Sequence, residues 1–119
     1  MDQKQSSEDY LEDILVLSKK LPVVRSVDVA NDLGFAKPSI SVVTKKLREK
    51  KLITVTDAGF IYLTAEGKKI AEEVYERHTL FTEWLIKIGV DPEIAADDAC
   101  KLEHAISKES FEAIKKHIV

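Results

Sequence analysis

Apolar residues recur at helical spacing along most of the chain, and the breaks between these stretches predict about six helices. The first helix is predicted from about Ser7 to Lys20. Ser6 or Ser7 is expected to be its N-cap, and acidic residues are expected to fill its first turn. Pro22 is expected to stop this helix because proline cannot continue one.

Two short helices are predicted next, joined by a few residues around Gly34, a residue type that is common just after a helix end. The second helix follows Ser26, and the third begins at Pro38, which suits the first helical position. The third helix places three apolar residues on one face: Ile40, Val43 and Leu47. This arrangement indicates a helix-turn-helix.

The segment LITVTDAGFIYLT predicts a β-hairpin. Its two halves are rich in β-branched and aromatic residues, and Asp57-Ala58-Gly59 lies between them. A hairpin directly after a helix-turn-helix is typical of a wing. The loop contains no basic residue that would hold a phosphate.

The fourth helix is predicted from a cap at Thr64 to about Ile88. A long apolar stripe runs along one side of it. The stripe is formed by Ile70, Val74, His78, Phe81, Leu85 and Ile88. A stripe of this length often packs against a second copy of the chain. Asp91-Pro92 begins a fifth helix and Ser107 a sixth. The predicted fold class is mainly α, with a winged helix-turn-helix over residues 1–64 and a helical dimerisation domain over residues 65–119.

Composition excludes several classes of protein. The chain has 119 residues, of which 33% are charged and 45% hydrophobic, as in a globular protein. No apolar run of about 18 residues is present, so no membrane span is expected, and the N-terminus does not resemble a secretory signal. The single cysteine, Cys100, excludes an intramolecular disulfide and suits a reducing cytoplasm. The net charge of −3 argues weakly against nucleic acid, although the distribution of charge matters more.

Positive charge is concentrated around the third helix. Residues 37–51 contain six basic residues and a single acidic residue, Glu49. Such cations neutralise DNA phosphates, and the first residues of a recognition helix read bases. Val42 is able to touch a thymine methyl group. The candidate DNA-binding residues are Lys37, Pro38, Ser39, Ser41, Val42, Thr44, Lys45, Lys46 and Arg48. The alternative is a basic face that is merely solvated.

The fifth helix carries Cys100, Glu103 and His104 at positions i, i+3 and i+4, so all three project from one face. Thiolate, carboxylate and imidazole together form a mixed ligand set for a transition metal. His78 in the long helix, and Asp9 and Glu12 in the first helix, could converge on the same one or two cations. Each residue also has an ordinary explanation, such as a core histidine, a small buried cysteine or a surface acid. His117 is interpreted as a surface residue.

The chain resembles the metal-dependent repressors typified by the diphtheria toxin repressor and the manganese transport regulator. The similarity runs from about Ser7 to the C-terminus, and DACKLEH is its most specific part. The other matching segments are EDYLEDI, KPSISVVTKKL, LTAEGKKIA and ERH. The resemblance implies a homodimeric, cytoplasmic repressor of metal-ion uptake genes that binds a palindromic operator. It also implies a divalent metal held between the first helix and the dimerisation helices, with these ligands: Asp9, Glu12, His78, Cys100, Glu103 and His104.

Departures from the family pattern bear on the metal. Asp9 resembles the manganese-type members, whereas Cys100 resembles the iron-type members. We therefore expect Mn²⁺ or Fe²⁺, with Zn²⁺, Co²⁺ or Ni²⁺ also binding in vitro. Thr82 and Ala96 replace residues of the ancillary site of iron-type members, so that site is expected to be absent. The additional C-terminal domain of longer members is also expected to be absent. Val42 replaces a polar residue of some relatives, so their operator cannot be assumed.

Three alternatives remain from the residues alone. The first is a winged-helix regulator that is independent of metal. The second is an enzyme that uses Cys100 and His104 as nucleophile and base, although no third orienting group is evident. The third is an interaction module that does not bind DNA, which the basic third helix disfavours.

Overall fold

The computed structural model describes the backbone of residues 3–118 and the side chains of residues 5–118. Its elements are α1 (Gln3–Ser18), α2 (Ser26–Leu33), α3 (Lys37–Glu49), β1 (Ile53–Val55), β2 (Ile61–Leu63), α4 (Ala65–Lys87), α5 (Pro92–Ala105) and α6 (Lys108–Ile118). The predicted fold class, with six helices and one hairpin, is confirmed over these residues. None of the helices in this part of the chain is long and apolar enough to cross a membrane.

The predicted start of the first helix is wrong. Helix α1 begins at Gln3, so Ser6 and Ser7 lie inside it and neither is its N-cap, and its first turn contains no acidic residue. The residues before Ser6 are Gln3-Lys4-Gln5, which are good helix formers and extend the helix beyond the capping signal. The helix ends at Ser18, two residues earlier than expected and four before Pro22.

Other helix ends follow their local signals. Gly34 adopts the left-handed conformation, with φ 74°, at the end of α2. Thr64 caps α4 because its Oγ1 accepts a hydrogen bond from the backbone N–H of Gly67 at 3.1 Å. Asp91 likewise accepts from the N–H of Glu93 at the start of α5, and Ser107 from that of Ser110 at the start of α6.

Two compact units divide the chain, Met1–Glu72 and Glu73–Val119. The first unit contains α1, α2, α3, the hairpin and the beginning of α4. Its core is built from buried residues of all these elements, including Tyr10, Leu11, Val29, Leu47 and Ile61. The recognition-type helix α3 therefore lies on a packed scaffold that also includes α1.

The hairpin is antiparallel, with Ile53 opposite Leu63 and Val55 opposite Ile61. It is anchored to the first unit because the N–H of Ile61 donates to the carbonyl of Val24 at 2.7 Å. A side chain at Gly67 would overlap the Leu52 carbonyl, so glycine permits the first turn of α4 to approach the hairpin.

The second unit has a smaller core on α4, α5 and α6. Phe81, Ala99 and Phe111 are buried there. The rings of Phe81 and Phe111 meet edge to face, with their centroids 5.8 Å apart. This core fixes the faces of α4 and α5 that carry the candidate metal ligands.

Candidate metal centre and nucleic-acid interface

Glu103 is at the centre of the candidate metal site in the second unit, and its side chain is 0% exposed. Its Oε2 lies 3.1 Å from Nδ1 of His78, and its Oε1 lies 3.2 Å from Nε2 of His104. Neither oxygen has a hydrogen-bond partner of acceptable geometry among the residues that the structure describes. A buried carboxylate is costly unless a cation or donors compensate it. Glu103 therefore needs positive charge at this position.

Cys100 completes the group on the solvent side. Its Sγ lies 3.6 Å from Nδ1 of His78. The ligand atoms of His78, Cys100 and Glu103 all lie within 4.8 Å of one another. Cys100 is exposed and the His78 side chain is 28% exposed, so solvent reaches one side of the group. The donor set of nitrogen, sulfur and oxygen suits a divalent transition metal.

The electrostatics of the group favour a cation. The neighbouring side chains of Cys100 and Glu103 raise the pKa of His78 to about 10, against the opposing effect of burial. The imidazole is therefore readily protonated beside the carboxylate. A metal that binds His78 has to displace this proton, as with any imidazole ligand.

Arg77 holds the last turn of α5, a role that the sequence did not reveal. Its Nη1 donates to the backbone carbonyl of Glu103 at 3.2 Å. Its guanidinium also lies over the ring of Phe111, 5.6 Å from the centroid. Arg77 thus links α4 to α5 and α6 next to His78. No sequence signal identifies this contact because its acceptor is a backbone carbonyl.

Asp9 and Glu12 lie in the first unit on α1. They are three positions apart, which places them on one side of the helix, and both are half-buried. Tyr10 and Leu11, between them, are fully buried in the core of the unit. The predicted ligands of the first helix are therefore held on a well-anchored element.

Asp13 is a buried acid that the sequence analysis did not single out. Its side chain is 7% exposed, and Oδ2 has no hydrogen-bond partner in the described part of the chain. Burial, together with the hydrogen bond to Asp32 and its negative charge, raises the pKa of Asp13 to about 8. Asp13 therefore lies close to a second acid, Asp32, and readily keeps its proton.

The candidate DNA-binding surface is the exposed side of α3. Ile40 and Leu47 are buried and point to the core. Most of the predicted contact residues are exposed: Lys37, Pro38, Ser39, Ser41, Val42, Lys45 and Arg48. Lys46 is half-buried. The basic and hydroxyl side chains thus share the surface of α3 that the core does not use.

Thr44, one of the predicted DNA-contact residues, also makes hydrogen bonds within the first unit. Its Oγ1 donates to the carbonyl of Ile40 at 2.7 Å and lies 2.8 Å from the hydroxyl of Tyr10. Because the Thr44 hydroxyl already donates to Ile40, the Tyr10 hydroxyl is the donor of the second bond. Thr44 therefore links α3 to α1.

A basic side chain from another segment of the chain lies against the wing. The guanidinium of Arg25, which precedes α2, lies over the ring of Phe60 at 5.0 Å from the centroid. Arg25 is exposed. No local pattern in the hairpin indicates this cation, because Arg25 is more than 30 residues before Phe60 in the chain.

Two sequence profiles match this chain and together span most of it. Residues 3–59 match "Iron dependent repressor, N-terminal DNA binding domain". Residues 64–118 match "Iron dependent repressor, metal binding and dimerisation domain". The chain is also 38% identical over 108 residues to the "Transcriptional regulator MntR" of Escherichia coli O6:H1, covering 91% of this chain and 70% of that protein.

Solved structures show the same fold. The manganese regulator SloR superimposes with a TM-score of 0.84 at 26% identity over 94% of this chain. The metal-dependent transcriptional regulator MtsR gives a TM-score of 0.86 at 25% identity, also over 94% of this chain. The chain spans 53% of the length of each of these two structures.

Proposed function

The chain belongs to the iron-dependent repressor family of metal-dependent, DNA-binding transcriptional regulators, and we propose that Mn²⁺ or Fe²⁺ activates it as a repressor of metal-ion uptake genes. Relatives carry names of transcriptional regulators, and the structural neighbours include a manganese regulator and a metal-dependent regulator. These names favour the metal-dependent interpretation over a metal-independent winged-helix regulator. The family role is regulation of transcription and not catalysis.

The observation that carries the proposal is the carboxylate of Glu103. It is fully buried, and its two oxygens lie 3.1 and 3.2 Å from imidazole nitrogens of His78 and His104. A divalent cation bound to His78, Cys100 and Glu103, whose ligand atoms lie within 4.8 Å of one another, would supply the positive charge that this carboxylate requires. His104, at the other oxygen of Glu103, joins the ligand set by the family resemblance. The donor chemistry of this group therefore fits the metal that the family implies.

The rest of the ligand set is proposed from the family resemblance and not from distances. By matching positions, Asp9 and Glu12 of α1 belong to the same set. Hard carboxylate oxygens favour Mn²⁺, and the thiolate of Cys100 favours Fe²⁺ and, in vitro, Zn²⁺, Co²⁺ or Ni²⁺.

The link between the ligands and DNA lies within the first unit. Tyr10 follows the ligand Asp9 on α1, and its hydroxyl donates to Thr44 on α3. A restraint on α1 is therefore passed to the recognition helix through this bond and through the shared core. By linkage, operator DNA should tighten metal binding by the same factor by which metal tightens DNA binding.

The proposed partners are a second copy of the chain and double-stranded DNA. The match to a dimerisation domain and the exposed apolar residues Tyr75 and Ile86 of α4 support the homodimer. Two recognition helices about one DNA turn apart (roughly 34 Å) would match a palindromic operator. We propose that the protein acts in the cytoplasm.

The test is an anaerobic calorimetric titration of the metal-stripped protein with Mn²⁺, Fe²⁺ and Zn²⁺. Wild type is compared with His78→Ala and with the matched control His117→Ala, whose histidine is exposed. We expect tight binding by wild type and by the control, and binding weakened at least about tenfold in His78→Ala. Equal binding by all three proteins would show that His78 is not a ligand.

DNA binding is measured in parallel with and without a chelator. We expect the chelator to abolish specific binding by wild type. Specific binding that persists in chelator would instead support the metal-independent regulator.

A further inference from the structure

Val42 is an apolar residue on the exposed surface of α3, and its side chain is 64% exposed. The core side of this helix is supplied by Ile40 and Leu47. Valine is also a weaker helix former than alanine or lysine, so it does not favour the helix itself. Neither packing nor helix propensity explains an apolar side chain at this position.

The surroundings of Val42 are polar and positively charged. Ser39 and Ser41 precede it and Lys45 follows it by one turn, and all three are exposed. Side chains at i−3 and i+3 lie beside it on the helix surface. Val42 is therefore an apolar spot inside a surface whose charge is complementary to DNA phosphates.

We propose that Val42 contacts the C5 methyl group of a thymine in the major groove of each operator half-site, and that this contact selects thymine there. The inference rests on the proposed function, because it requires α3 to enter the groove. The valine methyl groups neither donate nor accept hydrogen bonds, so they cannot read the polar edges of bases. The thymine methyl is the apolar group that the major groove presents, and residues early in a recognition helix reach base edges.

The proposal predicts sensitivity to one methyl group of the DNA. Replacing the contacted thymine by uracil removes that methyl group and keeps the base pair and its hydrogen-bonding edge. Removal of one buried methyl group corresponds to about a fourfold decrease in affinity. The effect should occur once in each half-site, at symmetrical positions.

The experiment begins with a duplex selected from a random-sequence library by the Mn²⁺-loaded wild-type protein. Each thymine of the selected site is then replaced, one at a time, by deoxyuridine, and affinity is measured by fluorescence anisotropy. For wild type we expect one thymine in each half-site at which uracil weakens binding about fourfold. For Val42→Ala, which removes the contact from both half-sites of the dimer, we expect a decrease of about sixteenfold on the unmodified duplex and no further decrease with uracil at that position.

Two controls separate the contact from general damage to the helix. Val27→Ala makes the same substitution at an exposed valine of α2, which is 51% exposed, and should keep the uracil effect. Val42→Ala should keep the melting temperature of wild type, because the side chain is exposed and alanine is the better helix former.

The outcomes distinguish this inference from the proposed function. If wild type binds the selected duplex but no uracil weakens it, the thymine contact is overturned and the metal-dependent regulator stands. The contact is also overturned if Val42→Ala keeps the full uracil effect. If the Mn²⁺-loaded protein enriches no sequence, both the contact and the proposed function fail.

Discussion

Glu103 shows at the scale of single residues why the candidate metal centre is more than a set of suitable side chains. A carboxylate on a helix surface usually faces water, where it costs nothing. Here the side chain is 0% exposed, and its oxygens have no hydrogen-bond partner of acceptable geometry among the described residues. The fold therefore buries this carboxylate between His78 and His104, where a cation, either the protonated His78 or a bound metal, has to compensate its charge.

Cys100 should set the metal preference. We expect Cys100→Glu to shift the ratio of Mn²⁺ to Zn²⁺ affinity towards Mn²⁺ by at least about tenfold, because an oxygen donor replaces the soft thiolate. Competition titrations against a chromophoric chelator measure both affinities. Cys100→Ala is the control, since it removes the thiolate without adding a carboxylate. An unchanged ratio in Cys100→Glu would mean that Cys100 does not bind the metal.

Asp13 should make the metal-free protein less stable as the pH rises. Its folded pKa is about 8 against an ordinary value of 3.8. The folded state therefore holds a proton that the unfolded state releases, and stability falls between about pH 4 and pH 8. We expect Asp13→Asn to be more stable than wild type at pH 8, with the difference disappearing towards pH 4.

Urea unfolding in the presence of a chelator, followed by circular dichroism at several pH values, measures this difference. Asp57→Asn is a matched control because Asp57 is an exposed aspartate in the wing loop. If the difference in unfolding free energy between Asp13→Asn and wild type does not vary with pH, the raised pKa of Asp13 is contradicted.

At the scale of elements, helices α1 and α3 are joined by a specific side-chain hydrogen bond as well as by packing. The Tyr10 hydroxyl donates to Thr44, whose own proton goes to the carbonyl of Ile40. The two partners are far apart in the chain, and each lies beside candidate functional residues. Tyr10 follows Asp9, and Thr44 lies between Val42 and the basic residues of α3. The element that carries candidate ligands thus holds the element that carries candidate DNA contacts.

Tyr10→Phe should weaken this coupling. We expect metal affinity in the absence of DNA to change little, and DNA affinity at saturating Mn²⁺ to fall by about fivefold, which corresponds to one net hydrogen bond. Calorimetry and fluorescence anisotropy measure the two affinities. Thr44→Val removes the same bond from the other side, so the double variant should lose no more than either single variant. Additive losses would show that the bond does not carry the coupling.

At the scale of the whole molecule, the second unit retains an apolar surface around Trp84. Two adjoining grooves, of about 650 and 430 Å³, share Trp84, Lys87 and Ile118 in their linings. Ile88, which lines the larger groove, is 61% exposed. A surface of this kind is typical of an interaction site, and the match to a dimerisation domain supports a second copy as its partner.

Trp84→Glu should therefore shift the protein from dimer to monomer, because it places a charge in the apolar surface. Sedimentation equilibrium at micromolar concentration measures the change. Tyr62→Glu is the control, since it introduces the same charge at an exposed aromatic residue of the wing. A dimer that is unaffected by Trp84→Glu would place the interface elsewhere.

Local signals in the sequence were enough to predict the helices, the wing and the candidate ligands. Helical periodicity, glycine at a helix end and capping side chains such as Thr64 are such signals, and the structure follows them closely. The start of α1 shows their limit, because good helix formers before Ser6 outweighed the capping signal. Ligand types at positions i, i+3 and i+4 of one helix are also visible locally, as with Cys100, Glu103 and His104.

The burial of these residues and their contacts with one another depend on the packing of separate elements. Burial of Glu103, the bond from Tyr10 to Thr44 and the position of Arg25 over Phe60 all depend on residues that are distant in the chain. No local pattern encodes such contacts, because each is set by how the elements meet and by which polar atoms that packing removes from water. Exposure of Val42 has the same origin, since only the packed core shows which side of α3 remains for DNA.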